Sequence, residues 1–248
     1  LILKGAVDRF LTRCHPIELY YYPVEYPFGR MVSWVCALAS PETQKVGFQM
    51  STVSPRRLEQ FMAPGEGSTL LPFLQQSPLP DRVLVEDERS ASIYRFSGYH
   101  GVEVMSRVYR YEYLSKIRPE KRENLSLVVL GLHDGPLLLN VLSDTIQRHS
   151  EISWLVKPHP RAKNSFLNDW KAVSGVTISS QPIEKLLAIV SQVYVTYSSV
   201  GLEAKALGIR VHIVDVPGHV NTSPLIDGDR GFLGIEGDDH PASNASLP

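Results

Sequence analysis

Two short polar segments of this 248-residue chain carry side chains that can bind an anion, and each directly follows an apolar run. The first, Lys157–Arg161, places a lysine, a histidine and an arginine within five residues. Pro158 and Pro160 bracket His159, and each favours an extended backbone in the residue before it, so the imidazole is presented rigidly. A histidine that titrates near neutral pH can donate to a phosphate or protonate a leaving phosphate. Taken alone, the segment is explained equally well as a turn with an incidental surface histidine.

The second segment, Tyr197–Glu203, is rich in hydroxyl groups and lies at the predicted start of a helix. The unpaired N–H groups at a helix N-terminus carry about half a positive charge and bind phosphate readily. Ser198 and Ser199 can add hydroxyl donors, and Gly201 would let a phosphate approach the backbone closely. Glu203, about one turn further along, can accept hydrogen bonds from a ribose. The alternative is an ordinary serine cap, which many helices have.

The elements that must position these segments form a regular pattern. Between Leu125 and Val214, short apolar runs alternate with stretches of helical spacing. The predicted strands are Leu125–Leu132, Ile152–Val156, Val176–Ile178, Gln192–Thr196 and Arg210–Val214, and the predicted helices are Leu137–His149, Phe166–Val173, Ile183–Val190 and Ser199–Leu207. Continuous rather than alternating apolar strands are typical of a parallel sheet with helices on both faces. Such sheets bind ligands at the carboxyl ends of their strands, so the two segments together predict one phosphate site.

The first half of the chain alternates in the same way and predicts a second β/α domain. Its predicted strands are Ile17–Tyr22, Lys45–Gln49, Arg82–Glu86 and Val102–Met105, and its predicted helices are Ile2–Arg13, Met31–Ala39, Arg56–Met62 and Glu88–Phe96. A long Pro- and Gly-rich loop is predicted at Ala63–Pro80. The fold class is therefore α/β, with two Rossmann-like domains at residues 1–115 and 116–236. A flexible tail is predicted over residues 237–248.

Composition limits the partners and the location of the protein. The net charge of −1 provides no basic field for nucleic acid. Cys14 and Cys36 are expected to be free thiols in a reducing cytoplasm. No apolar run approaches the roughly 18–20 residues that span a bilayer, so we expect at most peripheral contact with the inner membrane face. The opening Leu1–Gly5 reads like the middle of an element, and we expect the chain to be a fragment.

The segments Lys157–Pro160, Tyr197–Ala204 and Leu207–Val211 together resemble the C-terminal donor domain of GT-B glycosyltransferases. Within that group the similarity is to bacterial sialyl- and Kdo-transferases and to capsule and surface-carbohydrate biosynthesis proteins. Those proteins carry an acidic-Gly motif, an HP motif and a Ser or Ser-Ser motif. His159-Pro160 and Ser198-Ser199 match the last two. The bacterial CDP-glycerol phosphotransferases share a very similar HP and YSS pair.

The resemblance implies a GT-B-like fold and an inverting glycosyltransferase that needs neither a metal ion nor a cofactor. Its substrates would be a nucleotide-sugar donor, such as a CMP-linked acidic sugar, and a glycan or lipid-linked glycan acceptor. The product would belong to a bacterial surface polysaccharide, in capsule or lipopolysaccharide biosynthesis. The implied donor-binding residues are Lys157, His159, Pro160, Arg161, Ser198, Ser199, Gly201 and Glu203.

The catalytic base stays open between Asp134, Glu25 and a residue outside the given sequence. Asp134 lies in an acidic-Gly sequence, but only 25 residues before His159, whereas the acidic motif of the sialyltransferases belongs to the N-terminal domain. Glu25 lies in a Pro-bracketed aromatic loop of the first domain. Either carboxylate would deprotonate the acceptor hydroxyl while His159 stabilises the leaving phosphate. Two other functions remain open: a CDP-glycerol-type glycerophosphotransferase and a non-catalytic GT-B-like binding module.

Overall fold

A computed structural model describes residues 2–23, 27–61, 79–118, 120, 124–163 and 165–226. The chain divides into two compact units, Leu1–Lys116 and Ile117–Pro248. Each unit contains one parallel sheet with helices, which confirms the predicted α/β fold class. Within the described ranges, no helix is both long enough and apolar enough to cross a membrane. The predicted tail and most of the predicted loop at 63–80 lie outside the described residues.

The N-terminal unit is a four-stranded sheet whose strands pair in chain order, β1-β2-β3-β4. Its elements are α1 (Ile2–Cys14), β1 (Glu18–Tyr21), α2 (Pro27–Ala39), β2 (Gln44–Phe48), β3 (Arg82–Val85), α3 (Glu88–Phe96) and β4 (Val102–Val104). Val46, Val83 and Val85 are fully buried at the centre of the sheet. The carboxylate of Asp87 accepts a hydrogen bond from Ser90 N at 2.6 Å and so caps α3.

One predicted helix of this unit is wrong. In the described part of the stretch Arg56–Met62, residues 56–61, the structure has a 3-10 turn, Leu58–Gln60, and no α-helix. No side chain caps this turn, and the side chain of Leu58 is 80% exposed. With Leu58 exposed, the segment gains too little from packing to extend into an α-helix. A second 3-10 helix, Tyr109–Lys116, ends the unit.

The C-terminal unit is a five-stranded parallel sheet in the order β7-β6-β5-β8-β9. Its elements are β5 (Leu125–Val129), α4 (Gly135–Arg148), β6 (Ser153–Lys157), α5 (Leu167–Trp170), β7 (Val176–Ile178), α6 (Ile183–Leu187), β8 (Gln192–Val195), α7 (Val200–Ala206) and β9 (Arg210–Ile213). The first strand, β5, lies in the middle, and the chain later returns to its other side as β8. The strand order therefore reverses between β5 and β8, which is where doubly wound sheets bind ligands.

The helix α4 shows why this sheet is stable. Leu138, Leu142 and Ile146 recur every four residues on one face of the helix, and all three are buried. They pack with Trp154 of β6, whose side chain is 1% exposed. Each such side chain contributes about 1.5–3 kcal/mol when fully buried. This core fixes the carboxyl ends of β5, β6 and β8 side by side.

Candidate anion-binding site

A cavity of about 370 Å³ lies at the carboxyl ends of β5 and β6. The loop from β5 to α4 lines one side of it, and the loop from β6 to α5 lines the other. The basic side chains that line it are His133, His159, Arg161 and Lys163. Leu130 and Phe166 supply apolar surface. None of the described lining residues carries a carboxylate, so this cavity favours an anion although the chain has a net charge of −1.

The first turn of α4 adds to the positive potential. Gly135 and Pro136 begin this 14-residue helix, and both line the cavity. Asp134 occupies the N-cap position, but its side chain makes no capping hydrogen bond. The helix end therefore keeps the partial positive charge of its unpaired backbone N–H groups.

The geometry of His159 determines which ring nitrogen is available to a ligand. The backbone N–H of Arg161 donates to His159 Nδ1 at 3.2 Å, and Ala162 N donates to the His159 carbonyl at 3.0 Å. Because Nδ1 accepts, the neutral ring carries its proton on Nε2 and can donate from there. Burial lowers the pKa of His159, the charges of Arg161 and His133 lower it further, and Asp134 opposes them. Binding of an anion would favour the protonated ring.

The rest of the first segment does not reach this cavity. Lys157 is the last residue of β6 and is half-buried, and its carbonyl accepts a hydrogen bond from Leu130 N at 3.0 Å. Pro160 is exposed. Lys163 and Phe166, which do line the cavity, were missed by the sequence analysis. Lys163 is the fourth basic residue at every second position from Lys157, and that spacing was the available indication.

The second segment meets Asp134 rather than His159. The Asp134 carboxylate accepts a hydrogen bond from the Thr196 hydroxyl, and the Asp134 residue is 6% exposed. Burial raises the pKa of Tyr197, and the nearby charge of Asp134 raises it further. These three residues line a second, smaller cavity of about 110 Å³. The other wall of that cavity is the stretch after β9, which includes His219.

The remaining residues of the second segment line neither of these two cavities. Val200 N donates to Ser198 Oγ at 3.3 Å, and Ser199 Oγ donates to Glu203 at 3.5 Å. Glu203 is 8% exposed. A Cβ on Gly201 would lie 3.2 Å from a methyl group of Val195 and 3.3 Å from Leu225, so a larger residue there would crowd both side chains.

The other candidate base, Glu25, lies outside the described residues. The N-terminal unit contains a buried carboxyl group that the sequence analysis missed. Glu86 follows β3, and its side chain is 6% exposed. Burial raises the pKa of Glu86 to about 7, although its ion pair with Arg110 acts in the opposite direction. In the described part of the chain, no group of three or more His, Cys, Asp or Glu side chains could hold a metal ion.

Solved structures share this architecture. A UDP-GlcNAc 2-epimerase from Neisseria meningitidis, bound to UDP-GlcNAc, superposes with a TM-score of 0.55 at 10% identity, over 85% of this chain and 62% of that one. Arabidopsis thaliana UGT89C1 gives a TM-score of 0.55 at 11% identity, over 92% and 60%. The S. aureus MnaA–UDP structure gives 0.51 at 10% identity, over 91% and 71%. No protein-family model and no curated protein matches.

The fold is of the GT-B type. At identities of 10 to 11%, the similarity shows the fold alone. The chain spans 62% of the length of the Neisseria enzyme and 60% of the plant enzyme. In this chain the basic cavity lies at the strand ends of the C-terminal sheet. A fold does not determine a function, so the chemistry of the site depends on the residues that line the cavity.

Proposed function

We propose that this chain is a glycosyltransferase that binds a nucleotide-activated sugar in its C-terminal unit. The observation that carries the proposal is the cavity of about 370 Å³, which four basic side chains and the first turn of α4 line. A phosphate-bearing ligand matches that charge. The GT-B fold supports the proposal, because two proteins that share it were solved with UDP-GlcNAc or UDP bound.

The proposed chemistry is a single displacement with inversion. The acceptor hydroxyl attacks the anomeric carbon while the bond from that carbon to the phosphate oxygen breaks. Arg161 and Lys163 stabilise the negative charge that develops on the leaving phosphate. His159 donates to the same phosphate from Nε2, and no metal ion is needed for this step. Of the two candidate bases, we propose that Glu25 takes the proton of the acceptor hydroxyl, because the Asp134 carboxylate is buried and accepts the Thr196 hydroxyl.

The second segment completes the proposed donor site. Ser198 and Ser199 would contact the nucleotide phosphate, Gly201 would allow its close approach, and Glu203 would contact the ribose. Lys157 and Pro160 would hold the turn that presents His159. A basic cavity also favours an acidic donor sugar, so we propose a CMP-linked acidic sugar and a glycan or lipid-linked acceptor. The reaction would serve bacterial surface polysaccharide biosynthesis on the cytoplasmic side of the membrane.

A thermal-shift titration with CMP, CDP, UDP, GDP and inorganic phosphate tests the proposal. A ligand at a hundred times its dissociation constant adds ~2.7 kcal/mol to the stability of the state that binds it. We expect one nucleotide to stabilise the wild type and the effect to be lost in His159→Ala. His149→Ala is the matched control, because the half-buried His149 pairs with Glu151 and does not line the cavity. Equal stabilisation of both variants, or none of the wild type, would contradict the proposal.

A CDP-glycerol-type glycerophosphotransferase is the second candidate, because the HP and Ser-Ser sequences around His159 and Ser199 are shared with that group. The same cavity would then bind the phosphates of CDP-glycerol. Incubation with CMP-sialic acid and, separately, with CDP-glycerol distinguishes the two, since only the true donor releases CMP. Nucleotide binding without turnover of any donor would favour the non-catalytic binding module.

A further inference from the structure

The loop from β5 to α4 contacts different groups on its two sides. Gly131, Leu132 and His133 line the anion cavity on one side. On the other side lies the segment after β8, where Thr196 and Tyr197 meet Asp134. Because β5 and β8 are hydrogen-bonded neighbours, this contact lies at the reversal of strand order in the C-terminal sheet.

Asp134 joins the loop to that segment. One of its carboxylate oxygens accepts the Thr196 hydroxyl. The other, Oδ1, is buried and has no hydrogen-bond partner among the described residues. The side chain also makes no capping bond to α4, although Asp134 stands at the N-cap position. An unsatisfied buried acceptor costs about 1–3 kcal/mol, so this orientation reflects a role other than capping.

Gly131 shows how closely these groups approach the loop backbone. A Cβ on Gly131 would overlap Asp134 Oδ1 and would lie 2.8 Å from the Tyr197 hydroxyl oxygen. Both polar groups therefore rest against the backbone whose other side lines the cavity. Only glycine leaves room for both of them.

Tyr197 stays protonated and can donate its hydroxyl proton toward Asp134. Burial is the main reason for its raised pKa, and the charge of Asp134 is the second. The backbone amides of His133 and Leu132 approach the same hydroxyl and lower its pKa. The hydroxyl is thus placed between the carboxylate and the backbone of the loop.

We propose that Asp134 and Tyr197 are positioning residues of the anion site, which hold the β5–α4 loop against the segment after β8. This inference rests on the proposed function, because it concerns the same site. Neither side chain lines the cavity, so each acts through the loop backbone. It also explains how Tyr197 of the second segment can act on the anion cavity, although Ser198 and Ser199 do not line that cavity.

Asp134 acts on the cavity through its charge as well. Its carboxylate is the group that raises the pKa of His159 against burial and against the charges of Arg161 and His133. An ionised Asp134 therefore makes it easier for His159 to become protonated when a dianion binds. Loss of that charge would lower the pKa of His159 even if the loop kept its shape.

Isothermal titration with sulfate and with CMP tests the loop contact. Sulfate keeps its charge over the pH range in which histidine titrates. A change in the affinity for sulfate therefore comes from a change in the protein and not in the ligand. We expect Tyr197→Phe and Thr196→Val each to weaken the binding of both ligands by about fivefold, because each removes a hydroxyl group that lies next to the Asp134 carboxylate. Thr177→Val is the matched control, because Thr177 is exposed on the edge strand β7 and should bind like the wild type.

An NMR titration of the His159 ring tests the charge effect independently of affinity. We expect the pKa of His159 to fall in Asp134→Asn and to rise in Arg161→Ala, changes that a merely structural role would not produce. If the wild type binds neither sulfate nor any nucleotide, both the proposed function and this inference are wrong. Wild-type binding with unchanged affinity in Tyr197→Phe and Thr196→Val would overturn the inference alone. If Asp134→Asn does not fold, those two variants decide.

Discussion

At the scale of single residues, His159 is a neutral donor in a positively charged cavity. Arg161 N donates to Nδ1, which leaves Nε2 to carry the proton toward the ligand. Arg161 and Lys163 supply permanent charge in the same cavity, so His159 need not be protonated to contribute. The lowered pKa of His159 implies that sulfate affinity rises as the pH falls below the ordinary range of histidine.

Gly131 provides the sharpest residue-scale prediction. Gly131→Ala should lower the melting temperature and weaken CMP binding, because the new methyl group would displace Asp134 and Tyr197. Gly5→Ala is the control: Gly5 lies inside α1, and no other group lies within 4 Å of the position that its new methyl group would take. That change should stabilise the protein by up to about 1 kcal/mol. Thermal melts with and without CMP measure both effects, and unchanged CMP affinity in Gly131→Ala would contradict the account.

At the scale of elements, most of the fold could be predicted from the sequence. The bounds of α3 and β7 were predicted without error, because a capping aspartate precedes α3 and a short apolar run defines β7. The start of α2 was placed at Met31 but lies at Pro27, since proline is well suited to the first turn of a helix. The turn at Leu58–Gln60 was predicted as a helix because spacing alone does not reveal which side chains find a partner.

The contacts of the site were less predictable than its elements. The sequence analysis predicted that His159 and Arg161 follow a strand end, and in the structure both residues line one cavity. The neighbours of Asp134 depend on the pairing of β5 with β8, which are far apart in the chain. No local pattern shows that Asp134 turns toward Thr196 instead of capping α4.

Glu86 gives an element-scale prediction about the N-terminal unit. Gln49, at the end of β2, donates to Glu86 Oε2 at 3.3 Å, and Arg110 of the 3-10 helix Tyr109–Lys116 donates to it at 2.5 Å. Arg110 also donates to the Met50 carbonyl at 2.7 Å, so this cluster ties the 3-10 helix to the ends of β2 and β3. Burial raises the pKa of Glu86 to about 7, above its value in an unfolded chain.

The folded state holds the proton of the Glu86 carboxyl group more tightly than the unfolded chain does. The contribution of Glu86 to the free energy of unfolding is therefore fully present below the pKa that Glu86 has in the unfolded chain. It is lost as the pH rises through about 7. Urea unfolding at pH 5, 6, 7 and 8 should therefore show a downward slope that Glu86→Gln removes. Glu103→Gln is the control, since Glu103 is an exposed glutamate that pairs with Arg82. An identical slope in Glu86→Gln would show that the buried carboxyl group is not its source.

At the scale of the whole molecule, the amino-acid composition does not indicate the anion-binding cavity. A net charge of −1 gives no indication of an anion-binding surface, yet four basic side chains meet in one cavity because two loops end at the same sheet edge. The α/β alternation could be predicted because it depends on apolar periodicity, whereas the substrate depends on a few side chains.

The most direct test of the central claim is to compare CMP with cytidine by isothermal titration. The two ligands differ only in the phosphate, so their difference in affinity measures what the cavity contributes. We expect CMP to bind at least tenfold more tightly than cytidine, a difference of about 1.4 kcal/mol. That preference should fall in Arg161→Ala, since one of the four basic side chains of the cavity is lost, and persist in His149→Ala. Equal affinity for CMP and cytidine in the wild type, or an unchanged preference in Arg161→Ala, would contradict the assignment of this cavity as the phosphate site.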